Sequence, residues 1–459
     1  MTSELMGSSL WTHRAPFPLA LAPSETPDSH GGRWTEWKES TKAELEALRA
    51  RVSDSVLDVA ACELEDLLDR MDHPHRGLEA EAQRLGPRIR WRPDPDARLQ
   101  DAPAPAPGKG PRLMLLYSDD QRSAQVARAL EQALHARGVE HRARELYPEL
   151  GVFFQAFWRG LWARCASYSF DFNDVLAFDR IHNEGRLLGV VNRLGARSLS
   201  PRMRQQLSST TTVVTTDPFA GQFVSYLRRV YSVPVSHHAV ELDRTVSAIL
   251  YPAGCDAWYV PDAAVRANLL ALGEPESVIH DLGVPVAREL EGIPAKAVPR
   301  EVLITGRIGP GMFPMHTVLD ALRVRGVPDG KVVYACAKGE DVGVTVPGVQ
   351  VIWYSDQLPL LLKRASIAII PPDGVALAEA LAAGAYPILT PPRGEAERAN
   401  IRFAESAGVG LFARTAGEAW EHVNWLLREP EELGVRASRC LKCASPDAAR
   451  AIAARLVKA

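Results

Sequence analysis

A run at residues 365–370, apolar but for Ser366, ends in Pro371 and Pro372, and is followed at once by Asp373, Gly374 and an Ala/Leu-rich stretch that reaches Gly384 and Pro387. Proline removes a backbone donor and bars the preceding residue from helical geometry, so the apolar run reads as a strand that stops there. The glycine-containing turn then restarts the chain as a helix, whose small apolar residues enclose a single charge, Glu379. A buried strand, a tight turn and a buried helix in direct succession are the building unit of a parallel sheet wound by helices.

The same alternation recurs along the chain. Residues 112–117 read as a buried strand and residues 123–137 as a helix with Val126, Leu130 and Leu134 on one face; residues 211–215, 233–236 and 257–260 are further strand candidates. This module closes near residues 284–286. A second opens with the strand 301–305, a glycine-rich turn at 306–311 and a helix around 318–323, and continues with strands at 331–335 and 350–353. At 459 residues the chain is long for one core, so the expectation is α/β with two doubly wound domains and an appendage.

The appendage is residues 1–100. Its first forty are loop-like and proline-rich, Ser40 reads as an N-cap, and apolar residues from Leu45 to Leu68 suggest one or two amphipathic helices. Alternating prolines at 101–111 form a semi-rigid linker. The predicted division is therefore an extension at 1–100, a linker at 101–111, a first domain at 112–290, a second at 297–435, and a C-terminal segment at 436–459 whose amphipathic helix is placed to pack back across the domains.

A formal net charge of -3 gives no electrostatic case for nucleic acid as a partner. The start lacks a basic region followed by an apolar core, and no apolar run reaches the length of a membrane span. Six scattered cysteines form no disulfide framework, which reads as a cytoplasmic chain. Cys440 and Cys443 have the spacing of half a zinc site, but no second pair exists, so no metal is expected.

Two turns in the second module suit phosphate. Gly306, Gly309 and Gly311 let backbone pass close to an anion, and so does Gly374, where a helix begins with its positive end exposed. Glu379 can accept two hydrogen bonds from the vicinal hydroxyls of a ribose, and an unpaired carboxylate in so apolar a helix points to a ligand or partner. Glu397 and Asn400 lie at helical spacing on one face and can take sugar hydroxyls, though a solvated helix start reads the same way. Together these groups suit a nucleoside diphosphate linked to a sugar. In the first module, residues 151–164 are aromatic with Arg159 and Arg164 and no acid; the stretch suits either a core helix or peripheral contact with the inner face of a membrane.

From about residue 110 to 435 the chain resembles the lipid-acceptor glycosyltransferases that include monogalactosyldiacylglycerol synthase, processive diacylglycerol glucosyltransferase and, more distantly, MurG. The residues that carry the resemblance are 302–311, 331–339, 354–361, 372–381 and 397–400 in the second half, with 215–219, 255–260 and 281–286 in the first. The resemblance implies the GT-B fold, with two Rossmann-like domains facing across a cleft. It also implies a UDP-sugar donor, a lipid or lipid-like acceptor, no cofactor or metal, and inversion at the anomeric carbon. By the same resemblance Gly309 and Gly311 lie under the diphosphate and Gly374 serves the phosphate turn. Backbone near Trp353 and Tyr354 reads the uracil, and Glu379 holds the ribose. Retaining enzymes of this architecture carry a second glutamate eight positions before the helix carboxylate; Pro371 stands there.

The acceptor side departs from the family. Gln121 stands where the family has a histidine after its first strand, leaving Asp119 or Asp120 as the nearby groups able to take a proton. Asp217 replaces the histidine of the family's Thr-His-Pro-Phe motif. His237, with His238, Glu241 and Asp243, is expected on the cleft side of the following strand. Asp119, Asp120, Asp217 and His237 are thus the catalytic candidates. The alternatives are a nucleotide-sugar-binding protein with a repurposed acceptor site and a UDP-sugar epimerase, whose additional signatures are missing from the chain.

Overall fold

The computed structural model describes residues 35–36, 38–43, 46, 113–118, 121–151, 154–155, 176–177, 179, 186–247, 249–292, 301–305, 315–325, 331–336, 346–353, 358–392 and 394–457. Asp119, Asp120, Gly306, Gly309, Gly311, Tyr354, the side chain of Trp353, the linker and most of residues 1–100 and 151–164 lie outside that set. Residues 35, 36 and 38–43 are helical, so Ser40 sits inside a helix that begins upstream of it, not at its cap.

The first domain runs β1 (Leu113–Tyr117), α1 (Gln121–His135), β2 (His141–Glu145), α2 (Leu146–Glu149), α3 (Arg186–Ser198), α4 (Pro201–Ser209), β3 (Thr212–Thr215), α5 (Pro218–Tyr231), β4 (Ser236–Val240), β5 (Ala257–Val260), α6 (Ala263–Ala271) and β6 (Ile279–Asp281). Its strands form a parallel sheet in the order β2-β1-β3-β4-β5-β6. The second runs β7 (Glu301–Thr305), α7 (Met315–Arg325), β8 (Lys331–Cys336), β9 (Val349–Trp353), α8 (Leu358–Arg364), β10 (Ile367–Ile370), α9 (Gly374–Ala383), β11 (Tyr386–Leu389), α10 (Glu395–Ser406), β12 (Leu411–Phe412) and α11 (Ala416–Arg428). Its sheet, also parallel, is ordered β12-β11-β10-β7-β8-β9. Two helices follow, α12 (Pro430–Cys443) and α13 (Ala448–Leu456).

Central strands are apolar on both faces because helices cover both. Met114, Leu115 and Leu116 of β1 and all of β10 are buried. The strand at 233–236 is displaced: the prolyl stretch leads in, and pairing begins at Ser236 and runs to Val240 against β3. Four strands were not read from sequence. Those at the sheet edges carry charge, as in the His-Arg-Ala-Arg-Glu of β2, or hold only two residues, as in β12. β11 contains Pro387, tolerated because its pairing with β12 begins one residue later, at Ile388.

α13 leaves the second domain and packs on α1 of the first, where Ala449, Ile452, Ala453 and Leu456 join Leu113, Leu115, Val126 and Leu130 in one apolar cluster. The segment before it touches the chain near the end of the first domain. Gly283 has a φ of +87°, and a β-carbon there would lie 2.2 Å from Cβ of Ser445. Phe154, from the aromatic stretch, is core: it packs in the first domain's main cluster, which also holds Phe223.

Candidate functional site

Strand order reverses at two places, between β1 and β3 in the first sheet and between β7 and β10 in the second. Loops leaving adjacent strands on opposite sides of a sheet open a crevice at the strands' carboxyl ends, which is where ligands of such sheets bind. The residues following β10 are Pro371, Pro372, Asp373 and Gly374, so the turn singled out in sequence stands at the second switch point.

Asp373 caps α9 by accepting a hydrogen bond from the Ala376 N–H at 2.8 Å, and the helix is closed at its far end by Gly384 in a left-handed conformation (φ +67°). Glu379 projects from the middle of α9 with only 3% of its surface exposed. No hydrogen bond to its carboxylate is formed among the described residues. Burial, with Asp373 nearby, pushes its carboxyl up to about 8. The same cause raises Asp373 to about 6.

The N-terminus of α9 faces the first domain across the loop that follows β4. Asp243 Oδ1 accepts from the Gly374 N–H at 2.9 Å and from Asn400 Nδ2 at 2.8 Å. Asn400, fully buried on α10, also donates to the Pro372 carbonyl at 2.9 Å and accepts from the Arg244 N–H at 2.8 Å. Arg244 lies over the Phe403 ring at 4.0 Å and reaches Asp262 at 2.6 Å. Arg122, in the first turn of α1, stands 3.8 Å from Asp243. Glu241 Oε1 accepts from the backbone N–H groups of Leu242 and Asp243, and burial beside Asp243 raises this carboxyl to about 8. The site is thus an acid-rich seam between two domains, with one helix terminus and Arg122 supplying positive potential.

Of the residues anticipated for the donor half, Gly374, Glu379, Glu397 and Asn400 are brought together here. Glu397 is buried in the first turn of α10 and electrostatically adjacent to Asp373. Asn400 has its amide satisfied by the protein itself, a role as clamp that the sugar-binding expectation did not include.

On the opposite side, one expectation is corrected. His237 does not face the cleft: it is completely buried, with Nε2 2.9 Å from Thr215 Oγ1 and Nδ1 near Ser225 Oγ and Cys255 Sγ. Burial, reinforced by Arg228, lowers it to about 3, so it is a neutral core histidine. The displaced start of β4 explains the misreading: His237 is the strand's second residue, at the end away from the crevice, instead of following its carboxyl end. Asp217 caps α5 through the Ala220 N–H at 2.9 Å and takes a long bond from Ser123 Oγ at 3.5 Å, in a network with Thr216 and Ser118 at the first switch point. Its carboxylate shapes that turn. Asp119 and Asp120 lie outside the described residues. Asp243, Arg244 and Arg122 were missed as bridging groups; the charged run Glu241-Leu-Asp-Arg directly after β4 marked its loop as charged but did not name what it meets.

Cys440 is buried and Cys443 exposed on α12. Among the described residues no group of three or more His, Cys, Asp or Glu is placed to hold a metal ion, and no helix is long and apolar enough to cross a membrane.

No family model matches the chain. Two processive diacylglycerol β-glucosyltransferases are similar to it in sequence. That of Bacillus licheniformis is 23% identical over 70% of this chain and 88% of its own length; that of Bacillus cytotoxicus is 21% identical over 71% and 88%. Among solved structures, the glycosyltransferase of kitacinnamycin superposes with a TM-score of 0.52 at 12% identity, over 76% of this chain and 99% of that one. Os79 from O. sativa, solved in complex with UDP, gives 0.50 at 13% identity over 74% and 99%. The chain has the two-domain GT-B architecture of glycosyltransferases, and the curated proteins it is similar to are glucosyltransferases.

Proposed function

We propose that the chain is an inverting glycosyltransferase that moves a hexose from a UDP-sugar to a lipid or lipid-like acceptor without a metal ion, at the cytoplasmic face of a membrane. The observation that carries the donor reading is Glu379. A buried carboxylate with no hydrogen-bond partner among the described residues is costly, and two vicinal ribose hydroxyls would satisfy both of its oxygens. It stands on the helix whose N-terminus meets the switch point, so a diphosphate on that N-terminus sets the ribose along the same helix.

In the reaction the acceptor hydroxyl attacks the anomeric carbon as the bond from that carbon to the phosphate oxygen breaks, and UDP leaves with the electron pair. The hydroxyl proton passes to a base. Asp119 and Asp120, which follow β1 directly, and Glu241, at the end of β4, are the carboxylates assigned to that side of the cleft. The α9 N-terminus and Arg122 favour the leaving diphosphate. The lipid acceptor rests on the relatives' names and on the aromatic, basic composition of residues 151–164.

A second reading, nucleotide-sugar binding without transfer, draws on His237 and Asp217 both being engaged in structural hydrogen bonds. The test is release of UDP from UDP-glucose, UDP-galactose and UDP-N-acetylglucosamine, with and without diacylglycerol vesicles and with EDTA present. Release that depends on the acceptor and survives EDTA is expected. Binding with no acceptor-dependent release selects the second reading, and absence of binding at millimolar nucleotide sugar ends both.

A further inference from the structure

The loop after β4 does at the N-terminus of α9 what a bound anion would do. Asp243 places one carboxylate oxygen on the Gly374 N–H and on the Asn400 amide, the donors that an incoming phosphate oxygen needs. The space is filled as well as the hydrogen bonds. A β-carbon at position 374 would lie 1.8 Å from the Leu242 carbonyl oxygen, so the first domain's backbone rests directly on the helix end. The contact is reciprocal, since Asn400 Oδ1 takes the Arg244 N–H while the Arg244 guanidinium covers Phe403 of the second domain.

We propose that Asp243 is a built-in occupant of an anion site at the N-terminus of α9. It latches the two domains shut, and a diphosphate-bearing ligand binds by displacing it. The proposal rests on the UDP-sugar reading for the identity of that ligand, but not for the latch. Asp243 is surrounded by acids: Asp373 and Glu241 both feel its charge, and Glu397 adjoins Asp373. Its nearest cation, Arg122, stands 3.8 Å away, beyond hydrogen-bond reach. A carboxylate kept in such company is held chiefly by the helix N-terminus and Asn400. A diphosphate carries more charge to the same donors and competes for them. Binding and opening are therefore linked: each ligand bound requires one latch released.

The experiment measures UDP and inorganic pyrophosphate binding by calorimetry, and the radius of gyration by small-angle scattering, for the full chain and for Asp243→Ala and Asp243→Asn. Circular dichroism checks folding; the asparagine, with the same shape and an acceptor for the Gly374 N–H, serves if the alanine variant does not fold. At least tenfold tighter anion binding by Asp243→Ala, a smaller gain by Asp243→Asn, and a larger radius of gyration without ligand are expected. Unchanged or weaker binding of both anions in the folded variants overturns the latch, and leaves the donor reading standing if UDP binds wild type. Tighter pyrophosphate binding in the variants with no UDP binding by any of the three proteins upholds the latch and removes the UDP-sugar reading.

Discussion

Glu379 gives the sharpest test of the donor half, because its cost can be read without a ligand. In the folded chain its carboxyl is raised from 4.5 to about 8, first by burial and then by Asp373. Between those values the folded state holds a proton that the unfolded state has released. This contribution to stability is therefore full below about pH 4.5 and is lost as pH rises through about 8. The difference between 4.5 and about 8 corresponds to a ceiling of ~5 kcal/mol, a large share of the ~5–15 kcal/mol that holds a domain together. Glu379→Gln keeps the shape and removes the ionisation. Urea unfolding from pH 5 to 9 should show wild type weakening across the range while the variant stays flatter, ending ~2–5 kcal/mol more stable than wild type at pH 9. Glu241 titrates in the same direction in both proteins and cancels, so the difference between the two curves reports Glu379 together with its coupling to Asp373. Saturating UDP should restore wild-type stability at high pH, since ribose hydroxyls donate to the ionised form, and the variant should bind UDP more weakly. Parallel wild-type and variant curves from pH 5 to 9 would refute the reasoning.

Gly374→Ala places a methyl group against the Leu242 carbonyl, so the domains must part or α9 must shift. A loss of ~1–3 kcal/mol with a larger radius of gyration is expected, and an unchanged melting curve and radius would show that the contact is slack. His237→Ala strands Thr215 and Ser225 in the core and should cost ~1–3 kcal/mol. Because His237 is lowered to about 3, its neutral form contributes stability above about pH 6.5 that is lost as pH falls toward 3. Its removal should therefore leave the shape of the rate profile between pH 5 and 8 unaltered; disappearance of a limb near pH 6.5 would make it catalytic after all.

What could be read from sequence follows from what burial does to composition. The strand β7 was placed to the residue, and the strand-turn-helix at 365–384 with its enclosed glutamate was legible because two-sided burial leaves long apolar runs. The edge strands β2, β6 and β12 escaped notice because they are short or charged and their sequence is that of a loop, as β2 shows, whereas the more apolar edge strand β9 was read. His237 was misplaced because the strand expected at 233–236 would have left it just past the carboxyl end, where the crevice opens, whereas β4 runs from Ser236 to Val240 and holds it near the amino end. The latch was invisible for a different reason. Asp243 and Gly374 lie 131 residues apart in the chain and meet only when two independently patterned sheets are brought together. Nothing local in either segment encodes the other.

The C-terminal helix constrains how such a cleft can move. The chain passes from the first domain to the second after residue 292, and returns between α12 and α13. The return passes Ser445 over Gly283, and Arg450 of α13 reaches Glu291, at the point where the described first domain ends. Two chain crossings that meet the first domain at one place act as a pin with a direction, where a single linker would act as a swivel. Rotation about that pin, like opening a book, strains neither connection, whereas twisting or sliding one sheet past the other pulls on both. Release of the seam at Asp243 therefore returns a single dominant degree of freedom to the molecule, and the two halves close again in register.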